Sequence, residues 1–97
     1  MKTHVDVRAC NDPSSFQVTV HEGGGRTTHE VTLRQETLRR LSGRESAPEK
    51  LIEAAFHFLL DREPKESIMN RFDLTVISHY FPEFEERVSS YLSSPEN

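Results

Sequence analysis

The chain has 97 residues, 34% of them hydrophobic and 29% charged, with a formal net charge of −4. That length makes one domain, and an apolar share below the globular average leaves a modest core, which a second copy of the chain would help to cover. The acidic balance argues against sequence-blind nucleic-acid binding, which runs on phosphate neutralisation, and the longest apolar run, residues 54–60 broken by His57, falls far short of the roughly 20 residues that span a membrane.

Three alternating segments come first. Val5, Val7 and Ala9 share one side of the first, and Asn11-Asp12-Pro13-Ser14 then supplies turn chemistry. Phe16, Val18 and Val20 share one face of the second, and His29, Val31 and Leu33 one face of the third. Period two with β-branched residues predicts a strand each time. A four-residue loop, 22–25, sets His21 opposite Arg26, Val18 opposite His29 and Phe16 opposite Val31. This register superposes the two apolar faces, as burial of one face demands. Gln17, Thr19, Thr28, Glu30 and Thr32 are left on a wet face.

The period changes after Arg34. Residues 35–41, with Leu38 and Leu41 three apart, predict a short helix ended at Ser42-Gly43. Ser46-Ala47-Pro48-Glu49 reads as a capping box opening a helix that runs to about Arg62. Its broad apolar stripe holds Leu51, Ile52, Ala55, Phe56, Leu59 and Leu60. Pro64 stops it. One or two turns are expected over 66–71. Asp73 is expected to cap a helix carrying Leu74, Val76, Ile77 and Tyr80. After Pro82 a last helix carries Phe84, Val88, Tyr91 and Leu92. The expected architecture is α+β: a three-stranded antiparallel meander over 1–33, then three or four helices over 35–92 packed on its apolar face, in one domain over 1–92 with a polar tail at 93–97.

Candidate chemistry is sparse. His57 stands four residues from both Glu53 and Asp61, a column that reads as the solvated face of an amphipathic helix rather than a metal site, since no second His or Cys lies at ligand spacing. His29 reads as a half-buried histidine with a satisfied hydrogen bond. Gly23-Gly24-Gly25 lies between strands and lacks phosphate-loop spacing, so turn geometry accounts for it. No catalytic residue, metal or cofactor is expected. Cys10, the single cysteine, ends a strand next to a turn and reads as a small buried hydrophobe. A lone thiol and an N-terminus without a signal-peptide pattern predict a cytoplasmic protein.

Charge is uneven. Residues 1–50 carry eight Lys/Arg against seven Asp/Glu, and residues 51–97 carry four against nine. The first half holds the cluster Arg34, Arg39, Arg40 and Arg44. Its surroundings resemble a ribbon-helix-helix DNA-binding domain: the strand Glu30-Val31-Thr32-Leu33, the short helix, a Gly43 turn and the capped helix. The resemblance implies that the strand pairs with its twin in a dimer, that Thr28, Glu30 and Thr32 face bases, and that Arg34 and the backbone near Ser46 meet phosphate. A second resemblance covers the C-terminal third, through Ala54-Ala55-Phe56-His57-Phe58-Leu59-Leu60, Arg62-Glu63-Pro64-Lys65-Glu66-Ser67-Ile68, Arg71-Phe72-Asp73-Leu74 and Tyr80-Phe81-Pro82-Glu83-Phe84. This run is similar to a block in short uncharacterised bacterial proteins and implies no activity. Arg71 and Asp73 are expected to pair across a turn.

Two functional expectations follow. The first is a non-enzymatic protein-interaction or adaptor domain, with an apolar patch at Phe81 and Phe84 exposed in the monomer. The alternative is a dimeric DNA-binding regulator using Arg34, Arg39, Arg40 and Arg44 as a contiguous basic face. The partners expected are an unidentified protein and a second copy of the chain, with DNA as the alternative and no membrane.

Overall fold

The structure is a computed structural model and describes residues 3–42 and 47–92. Three strands open the chain: β1 (Thr3–Ala9), β2 (Ser15–Glu22) and β3 (Gly25–Thr32). They pair antiparallel in the register expected from the sequence, with Phe16 opposite Val31, Val18 opposite His29 and His21 opposite Arg26. The loop is tighter than expected. Glu22 and Gly25 also pair, so two residues make the turn. Gly23 and Gly24 both take positive φ, 62° and 83°, the backbone that a two-residue hairpin turn requires and that glycine adopts without strain.

The helices are α1 (Gln35–Ser42), α2 (Pro48–Leu60), α3 (Val76–Tyr80) and α4 (Phe84–Leu92), with a 3-10 turn at Lys65–Ser67. The expected stop at Gly43 lies outside the described residues, as does Ser46 itself. The N-cap position of α2 falls on Ala47, extended at φ −74° and ψ 151° and with no side-chain cap bond, so Glu49 is the second helical residue and the expected capping box does not form. Helix α2 begins with Pro48 in its first turn, where a missing N–H costs nothing. It is buried more widely than the predicted stripe, because Ala54 and Phe58 are also buried. The cause is α4, which covers a second flank. Phe58 meets Phe84, Phe81 and Tyr91 edge-on, at 5.1, 5.8 and 6.0 Å between ring centroids.

One element departs from expectation. Arg71–Asp73 is a fourth strand, β4, parallel to β3, and the sheet order is β1-β2-β3-β4. The Glu30 N–H donates to the Asn70 carbonyl (2.7 Å) and the Leu74 N–H to the Thr32 carbonyl (2.9 Å). Parallel neighbours need a crossover, and the segment carrying α1 and α2 supplies it. Phe72 pairs with Val31 on the inner face and is buried. Asp73 therefore ends a strand rather than capping a helix directly. Its Oδ1 accepts from the Thr75 N–H (2.9 Å) and hydroxyl (2.7 Å), a local turn that feeds α3. Nor do Arg71 and Asp73 pair with each other. Arg71 reaches Glu30 across the β3–β4 seam (3.3 Å), and Asp73 meets Arg34 (3.6 Å).

The core lies between the inner face of the sheet and the helices. Val18, Val20 and Val31 meet Leu51, Ile52, Phe56, Leu74, Phe84 and Val88 in one cluster. The fold is thus α+β, with four α-helices among the described residues.

Candidate functional site

A concave apolar surface lies where the chain leaves α2 and returns through β4 into α3. Leu59, Ile68, Phe72 and Ile77 form its buried floor. Met69, Val76, Tyr80 and Phe81 form the rim, and Glu63 and Ser67 stand at the lip. Its volume is about 390 Å³, within the range of sites that bind small molecules or anchor side chains.

Local chemistry builds each wall. After Leu60 the chain turns on two backbone bonds to the Leu59 carbonyl, from Arg62 and from Glu63 (both 2.9 Å). Pro64, extended at ψ 158°, then directs it away from the helix axis. Arg62 folds back, its guanidinium 3.7 Å from the centre of the Phe58 ring and donating to the Phe58 carbonyl at 3.2 Å. Glu63 is left half-buried in the lining of the cleft. Its carboxylate makes no ion pair or hydrogen bond with any described side chain, and partial burial raises its pKa above the ordinary glutamate value.

The opposite wall hangs on His29. Its Nδ1 lies 2.7 Å from the Met69 carbonyl and its Nε2 2.8 Å from the Thr27 hydroxyl. A carbonyl only accepts, so Nδ1 carries the proton and Nε2 accepts from Thr27. The ring is buried against Phe56 at 5.3 Å. Burial, partly opposed by the Met69 bond, lowers its pKa, which keeps the imidazole neutral. The half-buried histidine expected from the sequence is thus fully buried and fixes the segment entering β4, whereas Cys10, expected to be buried, is exposed because it lies just past the end of the edge strand β1.

The residues singled out for protein contact divide. Phe84 is 0% exposed and belongs to the core, because α4 packs it on Phe58. Phe81 is half-buried and shares the cleft wall. Among the described residues the exposed large apolar side chains are instead Tyr80, at 68%, and Met69, at 42%. Spacing sets Tyr80 on the apolar side of its helix but does not disclose that it is uncovered, and Met69 and Glu63 carry no periodic signal.

The arginines are dispersed among carboxylates. Arg34 meets Asp73, and Arg40 meets Glu85 at 2.6 Å. The Arg40 hydrogen bond, opposed by partial burial and aided by Ser78, holds Glu85 below its ordinary pKa. Arg34 and Arg40 do share a polar recess, but Glu36 and Asp73 line it too. Arg39 is exposed, and Arg44 lies outside the described residues. Of the Thr28-Glu30-Thr32 row, Glu30 is tied to Arg71, and β3 is hydrogen-bonded on both sides at Glu30–Thr32.

No group of three or more His, Cys, Asp or Glu among the described residues is placed to hold a metal ion. His57 lies 3.8 Å from Glu53, while Asp61 accepts the Tyr91 hydroxyl proton. Among the described residues no helix is long and apolar enough to cross a membrane. Comparison with protein-family models, curated proteins and solved structures gives no match to this chain.

Proposed function

We propose that this chain is a non-enzymatic protein-interaction domain whose cleft takes an apolar side chain from a partner segment that also carries a basic residue. The observation carrying this reading is the pairing of exposed Tyr80 and Met69 with a carboxylate, Glu63, that has no partner among the described side chains, across one apolar hollow. Exposed aromatic and methionine side chains beside a pocket are typical anchors of protein contacts. A carboxylate at the lip of such a pocket selects a cation, and the C-terminal half of the chain, four basic against nine acidic residues, steers one toward it. A second copy of the chain belongs to the same reading, and a single exposed thiol fits a reducing, cytoplasmic setting.

Selection from a displayed random-peptide library tests it. Peptides combining an aromatic or aliphatic anchor with Lys or Arg should be enriched, and Glu63→Lys should shift the enriched charge to acidic. Enrichment without an anchor, or peptides that bind Tyr80→Ala as well as the parent, would overturn it. The DNA-binding alternative takes second place, because Arg34 and Arg40 already face carboxylates.

A further inference from the structure

Strand β1 forms one edge of the sheet, and its outward backbone is open. The hydrogen-bond pattern shows which groups these are. The Cys10 N–H bonds to the Ser15 carbonyl (3.0 Å) and the Leu33 N–H to the Ser14 carbonyl (2.8 Å). In an antiparallel ladder such bonded pairs recur at every second residue. The even-numbered residues of β1 therefore bond to β2, and the N–H and C=O groups of Thr3, Val5, Val7 and Ala9 point away from the sheet. No backbone bond among the described residues takes up these outward groups. Several of the features that ordinarily blunt an exposed edge are absent: β1 runs seven residues in unbroken register, with neither bulge, proline nor lysine, and its exposed charges, Asp6 and Arg8, are of opposite sign.

We infer that β1 is a self-association surface, pairing antiparallel with β1 of a second copy about a twofold axis at Val7. This rests on the homodimer part of the preceding proposal and is independent of the cleft. The side chains choose the register. A twofold at Val7 sets Val7 against the partner's Val7 and Val5 against the partner's Ala9 on the inner face, where Val7 is only half-buried by its own chain. On the outer face it sets Asp6 opposite the partner's Arg8 twice over. Both side chains are exposed; Asp6 lies 3.9 Å from His4 of its own strand, while Arg8 makes no ion pair among the described residues. A twofold at Asp6 would instead oppose two carboxylates and one at Arg8 two guanidinia, both repulsive. One at Val5 would leave Arg8 unused.

The dimer gains six inter-chain backbone bonds, from Val5, Val7 and Ala9 of each chain. The contact is small, so association falls at the weak end of specific interfaces, and added salt weakens it through the two ion pairs.

The test is charge reversal read by sedimentation equilibrium of the whole chain, with thermal melts to verify folding, since both positions are exposed and surface changes are mild. Asp6→Arg and Arg8→Asp should each weaken the dimer about tenfold or more, as two attractive cross-strand pairs become repulsive. The double variant should restore it. An equimolar mixture of the two single variants should form a heterodimer, because the substituted side chains then face opposite charges. The two substitutions change net charge in opposite directions, so a bulk charge effect would move them apart, not together. A parent chain that dimerises with no response to either substitution would overturn this edge and register while leaving the homodimer standing. A parent that stays monomeric in the high micromolar range would overturn both.

Discussion

His29 shows how much one side chain can fix. It is buried, bonded at both nitrogens and stacked on Phe56, and it joins the middle of the sheet to the segment before β4. Replacing it by Phe keeps a planar aromatic ring but leaves the Met69 carbonyl and Thr27 hydroxyl without their partner. His29→Phe should cost about 1–3 kcal/mol of stability, the penalty for orphaning buried polar groups, measured by urea denaturation. Its titration has a definite sign. Burial lowers the folded-state pKa, so between the ordinary value of about 6.5 and the lowered one the unfolded chain binds more protons. Stability is then lost as pH falls through that window, and the variant should lose that part of the slope. Glu63 behaves in the opposite direction. Its raised pKa means that protonation begins nearer neutrality than for an ordinary glutamate, so a basic peptide should be released as pH falls through that raised value. Glu63→Gln should bind more weakly and with a flatter pH profile, by fluorescence anisotropy. The aromatic pair Tyr80 and Phe84 separates function from folding: Phe84→Ala should cost about 3–5 kcal/mol as a core truncation, while Tyr80→Ala should leave the melting curve nearly unchanged.

At the scale of elements, the hairpin and β4 illustrate what a sequence can disclose. The β2–β3 turn depends on glycine at two positive-φ positions, so Gly24→Ala should destabilise by about 1 kcal/mol through backbone strain alone, since a Cβ there would meet no neighbouring atom within 4 Å. The register of that hairpin was legible because Phe16, Val18, Val31 and His29 alternate, and one slip would expose them all. Strand β4 was not legible. Three residues, Arg71-Phe72-Asp73, hold too little alternation to mark a strand, and its pairing partner lies far back in the chain at Glu30–Thr32. The cleft is hidden for a like reason: its lining runs through residues 59–81, from the end of α2 across a 3-10 turn and β4 into α3, and so follows no single period. Phe84 was misplaced at the surface for a related reason: helical spacing marks an apolar face but not what covers it, and the cover was α2 through Phe58.

For the whole molecule, the sheet order decides how the two proposed surfaces relate. Strands β1 and β4 are its two ends, three strand spacings apart, or about 14 Å across the sheet. The cleft is built on Phe72 of β4 and on α3, and the self-pairing edge is built on β1. Helices cover only the inner face, so a dimer through β1 extends the sheet outward and leaves both clefts open at its far ends. Coupling between sites requires an element whose two states both ligands bias. Between these two lie β2 and β3, paired along their whole length and anchored on fully buried Val18, Val20 and Val31, which offer no second arrangement. Peptide binding and self-association should therefore be independent. Saturating the cleft with a selected basic peptide should leave the dimer dissociation constant unchanged within about twofold, less than the weakest ordinary allosteric coupling. Asp6→Arg should likewise leave peptide affinity intact. A coupled response in either direction would mean that the dimer forms through the cleft face, with Tyr80 and Met69 buried between copies.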